Sequence, residues 1–210
     1  MRVVLASTSP RRRELLALLG IPFNVASPLF EERLIPGRTA AWLAVYFAKG
    51  KADSVAKADS EAIVLGSDTL IELDGEVLGK PADLLEARAM LCRMAGREHL
   101  VHTAVALSCL SRSIETTKLS TAHVWMKPLD AAVLENYLVS GDSLGKAGAY
   151  SIQGPGGELI QRLDGDFTAV VGLPLQLTAS MLEQVGLKIP IDLSALYSAK
   201  PYGNWARFTG

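Results

Sequence analysis

In Val3-Val4-Leu5-Ala6-Ser7-Thr8-Ser9-Pro10-Arg11-Arg12-Arg13-Glu14-Leu15-Leu16 an apolar run breaks into a hydroxyl-rich turn and then a basic segment. A short apolar run bounded by turn residues reads as a buried strand, and Leu15-Leu16 begins the inner face of a helix. Pro10 suits the first helical position, where its missing N–H costs nothing, and Ser9 is placed to cap. Strand, tight turn and helix open an α/β unit. The same junction gathers hydroxyls, backbone N–H groups and guanidinium groups. Cations at a helix N-terminus oppose its dipole, and a bound polyanion would relieve that conflict. On spacing alone, a solvated basic turn reads as well.

Outward from this junction, strand and helix patterns alternate. A helix over 11–19 closes at Gly20, a short strand covers 23–26, and a long helical pattern runs over 40–58. A buried strand over 62–65 leads into Gly66-Ser67-Asp68-Thr69, and 71–78 reads as a hairpin about Asp74-Gly75, a favoured two-residue turn. A helix over 84–94, strands over 98–108 and 114–126, and a helix over 131–140 follow. Residues 145–157 are glycine-rich and irregular, 170–173 read as a strand, and 174–185 as a helix. Residues 187–210 show no period and are expected to form an irregular C-terminal extension. The pattern predicts an α/β fold with a mixed sheet.

Composition narrows the function. Over 210 residues the net charge is −1, with 49% hydrophobic and 20% charged residues. That excludes a general coat for nucleic acid, which would be basic, so any phosphate site must be local. No apolar run is long enough to span a bilayer, and the N-terminus reads as a strand rather than a leader, so a cytoplasmic setting is expected. Cys92 and Cys109 show no metal or redox spacing and read as buried free thiols.

Three further stretches could carry chemistry. Asp68, expected just past the end of a strand, is where open α/β sheets place their ligands. A carboxylate there can hold a divalent cation or take a proton from water; it could equally be a turn residue. Lys80 in Gly79-Lys80-Pro81 brings an ammonium back to the same sheet edge, and the spacing to Gly75 excludes a Walker loop. In Gly148-Ala149-Tyr150-Ser151-Ile152-Gln153-Gly154, the small residues allow close approach of a ligand. The Gln153 amide offers a donor and an acceptor suited to a base edge; on spacing alone, a loop glutamine facing water is the stronger reading. His99 and His102, three apart on a strand, would point to opposite faces and make no metal site.

Taken together, these stretches resemble the Maf family of nucleoside triphosphate pyrophosphatases. Ala6–Arg12, Gly66–Thr69, Gly79–Pro81, Gly96–His99 and Ala147–Gly154 stand in that family's order and spacing. Glu31-Glu32, Lys51-Ala52 and Val171-Gly172-Leu173-Pro174 fit its intervening and closing positions. The resemblance covers residues 2–186 and implies one pyrophosphatase domain over 1–186. Its implied fold is an elongated mixed β-sheet flanked by helices, two lobes about a central cleft, as in inosine triphosphatase. The implied activity is hydrolysis between the α and β phosphates. In it Asp68 is the proton acceptor and acts with a divalent cation, Mg2+ or Mn2+. By the same resemblance Arg12, Lys51 and Lys80 hold phosphates, Ser7 and Ser9 line the phosphate end, and Glu32 positions the metal or the water. Lys49 also lies near the lysine position; Lys51 is chosen because Ala52 follows it. A homodimer is implied, with no nucleic-acid or membrane partner.

The family divides between dTTP/UTP and 7-methyl-GTP as substrates. Arg11, Thr69 and Gln153 stand where the methylguanine branch carries Trp, Gln and Glu. A cationic methylated base suits an aromatic face and a carboxylate, and would be repelled by Arg11. A neutral pyrimidine suits the amide of Gln153. The resemblance therefore implies dTTP and UTP, with modified pyrimidine analogues, and a role in cleansing nucleotide pools. A 7-methyl-GTP pyrophosphatase and a nucleotide-binding regulator of septum formation remain the alternatives.

Overall fold

The computed structural model describes residues 1–208. Its strands are β1 (Val3–Ala6), β2 (Phe23–Ala26), β3 (Ile63–Leu73), β4 (Glu76–Leu78), β5 (Glu98–Cys109), β6 (Ile114–Met126) and β7 (Ile160–Asp164). Its helices are α1 (Pro10–Ala17), α2 (Ala40–Ala56), α3 (Leu84–Met94), α4 (Ala131–Val139), α5 (Phe167–Val171), α6 (Leu175–Gln184) and α7 (Leu193–Ala199). One mixed sheet runs in the order β2-β1-β3-β5-β6-β7, with β4 folded back on β3. The β1 pairings are parallel and the rest antiparallel. Asp74 and Gly75 turn the β3–β4 hairpin with φ of 53° and 80°, the left-handed pair that a tight hairpin demands.

What positions the site is where β1 stops. Its pairing with β3 ends at Ala6↔Gly66, and Ser7 to Ser9 lead off into α1. β3 runs on, paired along one edge with β5, while its other edge gains β4 only from Ile71. Ser67 to Leu70 are left with one open edge, and a cleft forms there. Side chains alternate across a strand, so Asp68 faces the α2 side and Thr69 the opposite side.

Two apolar cores flank the sheet. Leu43, Phe47, Ala48 and Ala52 of α2 pack on Val4, Ala6, Val64 and Leu70. The opposite face carries α1, α3, α4, α5 and α6 over Leu5, Leu65, Val105 and Val124. Gly66 lets α2 lie close on β3: a Cβ there would stand 2.3 Å from the Ala48 carbonyl oxygen.

Several expectations are corrected. Asp68 lies in the middle of an eleven-residue strand, because pairing with β5 carries β3 well past residue 65. The apolar run 170–173 is not a strand. Its first residues end helix α5, which begins where Asp166 Oδ1 accepts the Thr168 N–H at 2.8 Å. β7 was not foreseen. The extension expected over 187–210 is not irregular in its described part, 187–208: Asp192 caps α7, and a 3-10 turn at Trp205–Arg207 buries its tryptophan in the core. Residues 209–210 lie outside the described residues. Cys109 is buried, but Cys92 is exposed, and both are free. Ser9 makes no side-chain cap; Ser7 Oγ instead accepts the Ser9 N–H at 3.2 Å.

Candidate active site

On the α2 side of the open edge, Lys51 lies 2.5 Å from Asp68 Oδ1 and 2.6 Å from Glu32 Oε1. Lys51 and Asp68 are only 5% and 4% exposed. Two glycines make this meeting possible. Gly66 brings α2 down so that Lys51 reaches across to Asp68. Gly50 leaves room for the Phe30 ring, which a Cβ would strike at 2.2 Å, and so lets the loop carrying Glu32 fold over the helix. Lys49 points elsewhere, bridging Asp53 and Glu115, so of the two lysines it is Lys51 that meets Asp68 and Glu32.

The charges are tuned by burial. Burial pushes the Asp68 carboxyl above its ordinary value, against the opposing pull of Lys51 and Arg12. Burial also acts to raise Glu32, but the hydrogen bond and charge of Lys51, with Lys80 and Arg12 behind them, hold it below its ordinary value. Asp68 Oδ2 is buried without a hydrogen-bond partner. A buried, partnerless carboxylate oxygen costs folding energy and marks a place where a ligand would be welcome.

On the other side of the edge, Arg12 Nε donates to the Gly172 carbonyl at 3.0 Å and Nη2 to Thr69 Oγ1 at 3.2 Å. Ser67 Oγ donates to the same carbonyl at 3.1 Å, and Thr103 Oγ1 joins Thr69 at 3.0 Å and the Ala169 carbonyl at 2.8 Å. The guanidinium is thus fixed in plane and aimed. Ser67 stands within the Gly66–Thr69 stretch without a role of its own there, and nothing in its spacing flags Thr103; their roles follow from the alternation of β3 and β5.

Both sides open into one cavity of about 580 Å³. Ser7, Ser9, Arg11, Arg12, Glu32, Lys51, Asp68, Thr69 and Lys80 all line it. Exposed Lys80 makes no ion pair among the described residues and is free to meet a ligand. Gln153 does not line the cavity; its neighbours Ser151 and Ile152 do. Of the ten site residues that the sequence points to, the fold gathers nine on the walls of this cavity.

A divalent cation fits the donor set. Among the described residues no three His, Cys, Asp or Glu side chains cluster as a metal cage. Asp68 and Glu32 supply two carboxylates, one with a free buried oxygen, which is the share a protein contributes when phosphates and water complete the shell.

A family model described as Maf-like protein matches residues 2–185. The chain belongs to the Maf family. A dTTP/UTP pyrophosphatase of Symbiobacterium thermophilum is 45% identical over 188 residues, covering 90% of this chain and 96% of that protein. The Myxococcus xanthus dTTP/UTP pyrophosphatase is 45% identical over 90% of this chain and 94% of its own length. That of Hahella chejuensis is 42% identical over 91% and 96%. No described helix of this Maf protein is long and apolar enough to cross a membrane.

Proposed function

We propose that this Maf protein is a nucleoside triphosphate pyrophosphatase acting on dTTP and UTP. It releases the monophosphate and pyrophosphate, and modified pyrimidine nucleotides are further substrates. The observation that carries the reading is Asp68, a buried carboxylate with a free oxygen, set between two fixed cations on the wall of a cavity. Water adds to the α phosphorus, the α–β bridging bond breaks, and pyrophosphate departs. Asp68 holds the proton that water gives up. Burial raises its basicity, and Lys51 keeps it ionised and in place. Arg12 and Lys80 meet the triphosphate oxygens, with the fixed guanidinium already oriented for charge that develops during transfer. A Mg2+ or Mn2+ held by Asp68 and Glu32 would supply charge neutralisation on the phosphates.

Pyrimidine preference is supported by Arg11, which lines the cavity and would repel a cationic methylguanine. The names of the relatives agree. Gln153 lies off the cavity wall and lends no support to this preference. A panel assay of pyrophosphate release with Mg2+ tests the proposal, using dTTP, UTP, modified pyrimidine triphosphates, 7-methyl-GTP, ATP and GTP. Pyrimidines should rank first. Preference for 7-methyl-GTP overturns the substrate assignment, and tight binding without turnover overturns the activity in favour of a regulator.

A further inference from the structure

Residues 187–208 lie beyond the stretch matched by the Maf family model, which ends at 185. They are nevertheless tied to the cavity walls at two places. From α7, the Tyr197 hydroxyl lies 3.1 Å from both Asp166 Oδ2 and Thr168 Oγ1, and accepts the Gln176 N–H at 3.3 Å. These partners flank the turn whose Gly172 carbonyl holds Arg12. Trp205 stacks on Phe167 at 5.4 Å and meets Tyr197 edge-on at 5.0 Å.

The second tie is Asn204. Its Nδ2 donates to the Ile152 carbonyl at 2.9 Å and to the Gly154 carbonyl at 2.8 Å. Those two carbonyls stand either side of Gln153, in the loop whose Ser151 and Ile152 form cavity wall. Both protons of the amide are spent on this loop, and Asn204 itself does not line the cavity. Gly157 lies against the same amide, where a Cβ would come within 2.3 Å of Nδ2. Arg207 adds an exposed ion pair to Glu158.

A loop with glycines at 154, 156 and 157 has high conformational freedom and short 3-10 turns as its only regular structure. We propose that the C-terminal segment is a strap that holds this loop in its ligand-binding shape, with Asn204 as the positioning residue that sets affinity for the nucleotide. The inference rests on the reading of the cavity as the nucleotide site. A loop held ready loses little freedom on binding, whereas a released loop is competent only part of the time, which raises the apparent dissociation constant by the reciprocal of the competent fraction. Asn204 itself bonds only the Ile152 and Gly154 carbonyls and meets none of Asp68, Lys51 or Arg12, so with Asn204 replaced the bound nucleotide still reacts at the normal rate.

The test uses the full chain with Asn204→Ala, and with Asn204→Asp as a same-size variant that loses both donors. KM and kcat for UTP with Mg2+, hydrogen exchange of amides 150–157, and Tm are measured on each. The expected result is a KM for UTP raised about tenfold, the scale of two ordinary hydrogen bonds. With it come kcat within about twofold, faster exchange confined to the loop, and a largely retained Tm. Unchanged KM, or a fall in kcat with KM unchanged, overturns the proposal even if exchange rises. Should one variant not fold, the other decides. Absence of turnover in the unsubstituted protein counts against the pyrophosphatase reading alone. The strap is then judged on exchange and on UTP binding by calorimetry, where equal affinity in both proteins overturns it.

Discussion

Replacing Lys51 with methionine keeps much of the stem and removes the charge. The ammonium sits 2.5 Å from Asp68 Oδ1, and Asp68 Oδ2 has no partner already, so the substitution strands both oxygens of a buried carboxylate. Removing one member of a buried pair costs about 3–5 kcal/mol. The Glu32 side chain is 41% exposed, so solvent screens its share to roughly 1 kcal/mol or less. Arg12 still faces Asp68, and the carboxyl can take up a proton, so the lower end of about 3 kcal/mol applies. For a chain of this size that is a fall in Tm of about 6–12 °C. The deficit should also depend on pH. Burial already lifts Asp68 above its ordinary value of 3.8, and loss of the ammonium lifts it further. A carboxyl raised in the folded state contributes stability below its unfolded value and loses it as pH rises through the folded one. Thermal unfolding with a chelator should therefore show a smaller deficit near pH 4 than at pH 7. A Tm equal to that of the unsubstituted protein, or a deficit independent of pH, would refute the argument.

Asp68→Asn should lower kcat for UTP by about a hundredfold or more, the usual scale for losing a general base; near-normal turnover removes Asp68 from the chemistry. Gly66→Ala places a Cβ 2.3 Å from the Ala48 carbonyl oxygen. Lifting α2 off β3 should cost about 1–3 kcal/mol and separate Lys51 from Asp68. Lower Tm together with lost activity checks this, and unchanged values for both speak against it. His99 is buried with its Nε2 2.8 Å from the Tyr150 hydroxyl, and burial lowers its pKa from 6.5 to about 4. The unfolded chain therefore binds the extra proton between those values. Stability should fall by about 3 kcal/mol as pH drops from 6.5 to 4. His99→Phe should flatten that slope in denaturant titrations, and an unchanged slope assigns it to other groups.

The opening strand, turn and helix were legible because each residue there agrees with its neighbours: an apolar run, a proline at the first helical position, leucines at helical spacing. The hairpin at Asp74-Gly75 was legible for the same reason, since few residue pairs accept that turn. Lys51 and Glu32 were placed by motif, while their convergence depends on Gly50 and Gly66 acting between elements far apart in sequence. The run 170–173 misled because four apolar residues suit a buried helix end as well as a strand. The tail misled for a different reason. Tyr197, Asn204 and Trp205 are held by tertiary partners at 152–154 and 166–176, so no local period announces them.

Product analysis is the most direct test of the central claim that a carboxylate, two lysines and an arginine hold a triphosphate for hydrolysis between its α and β phosphates. Purified protein is incubated with UTP and Mg2+, and the products are separated. The account predicts UMP and pyrophosphate in equal amounts. UDP with inorganic phosphate, or intact UTP, would contradict it.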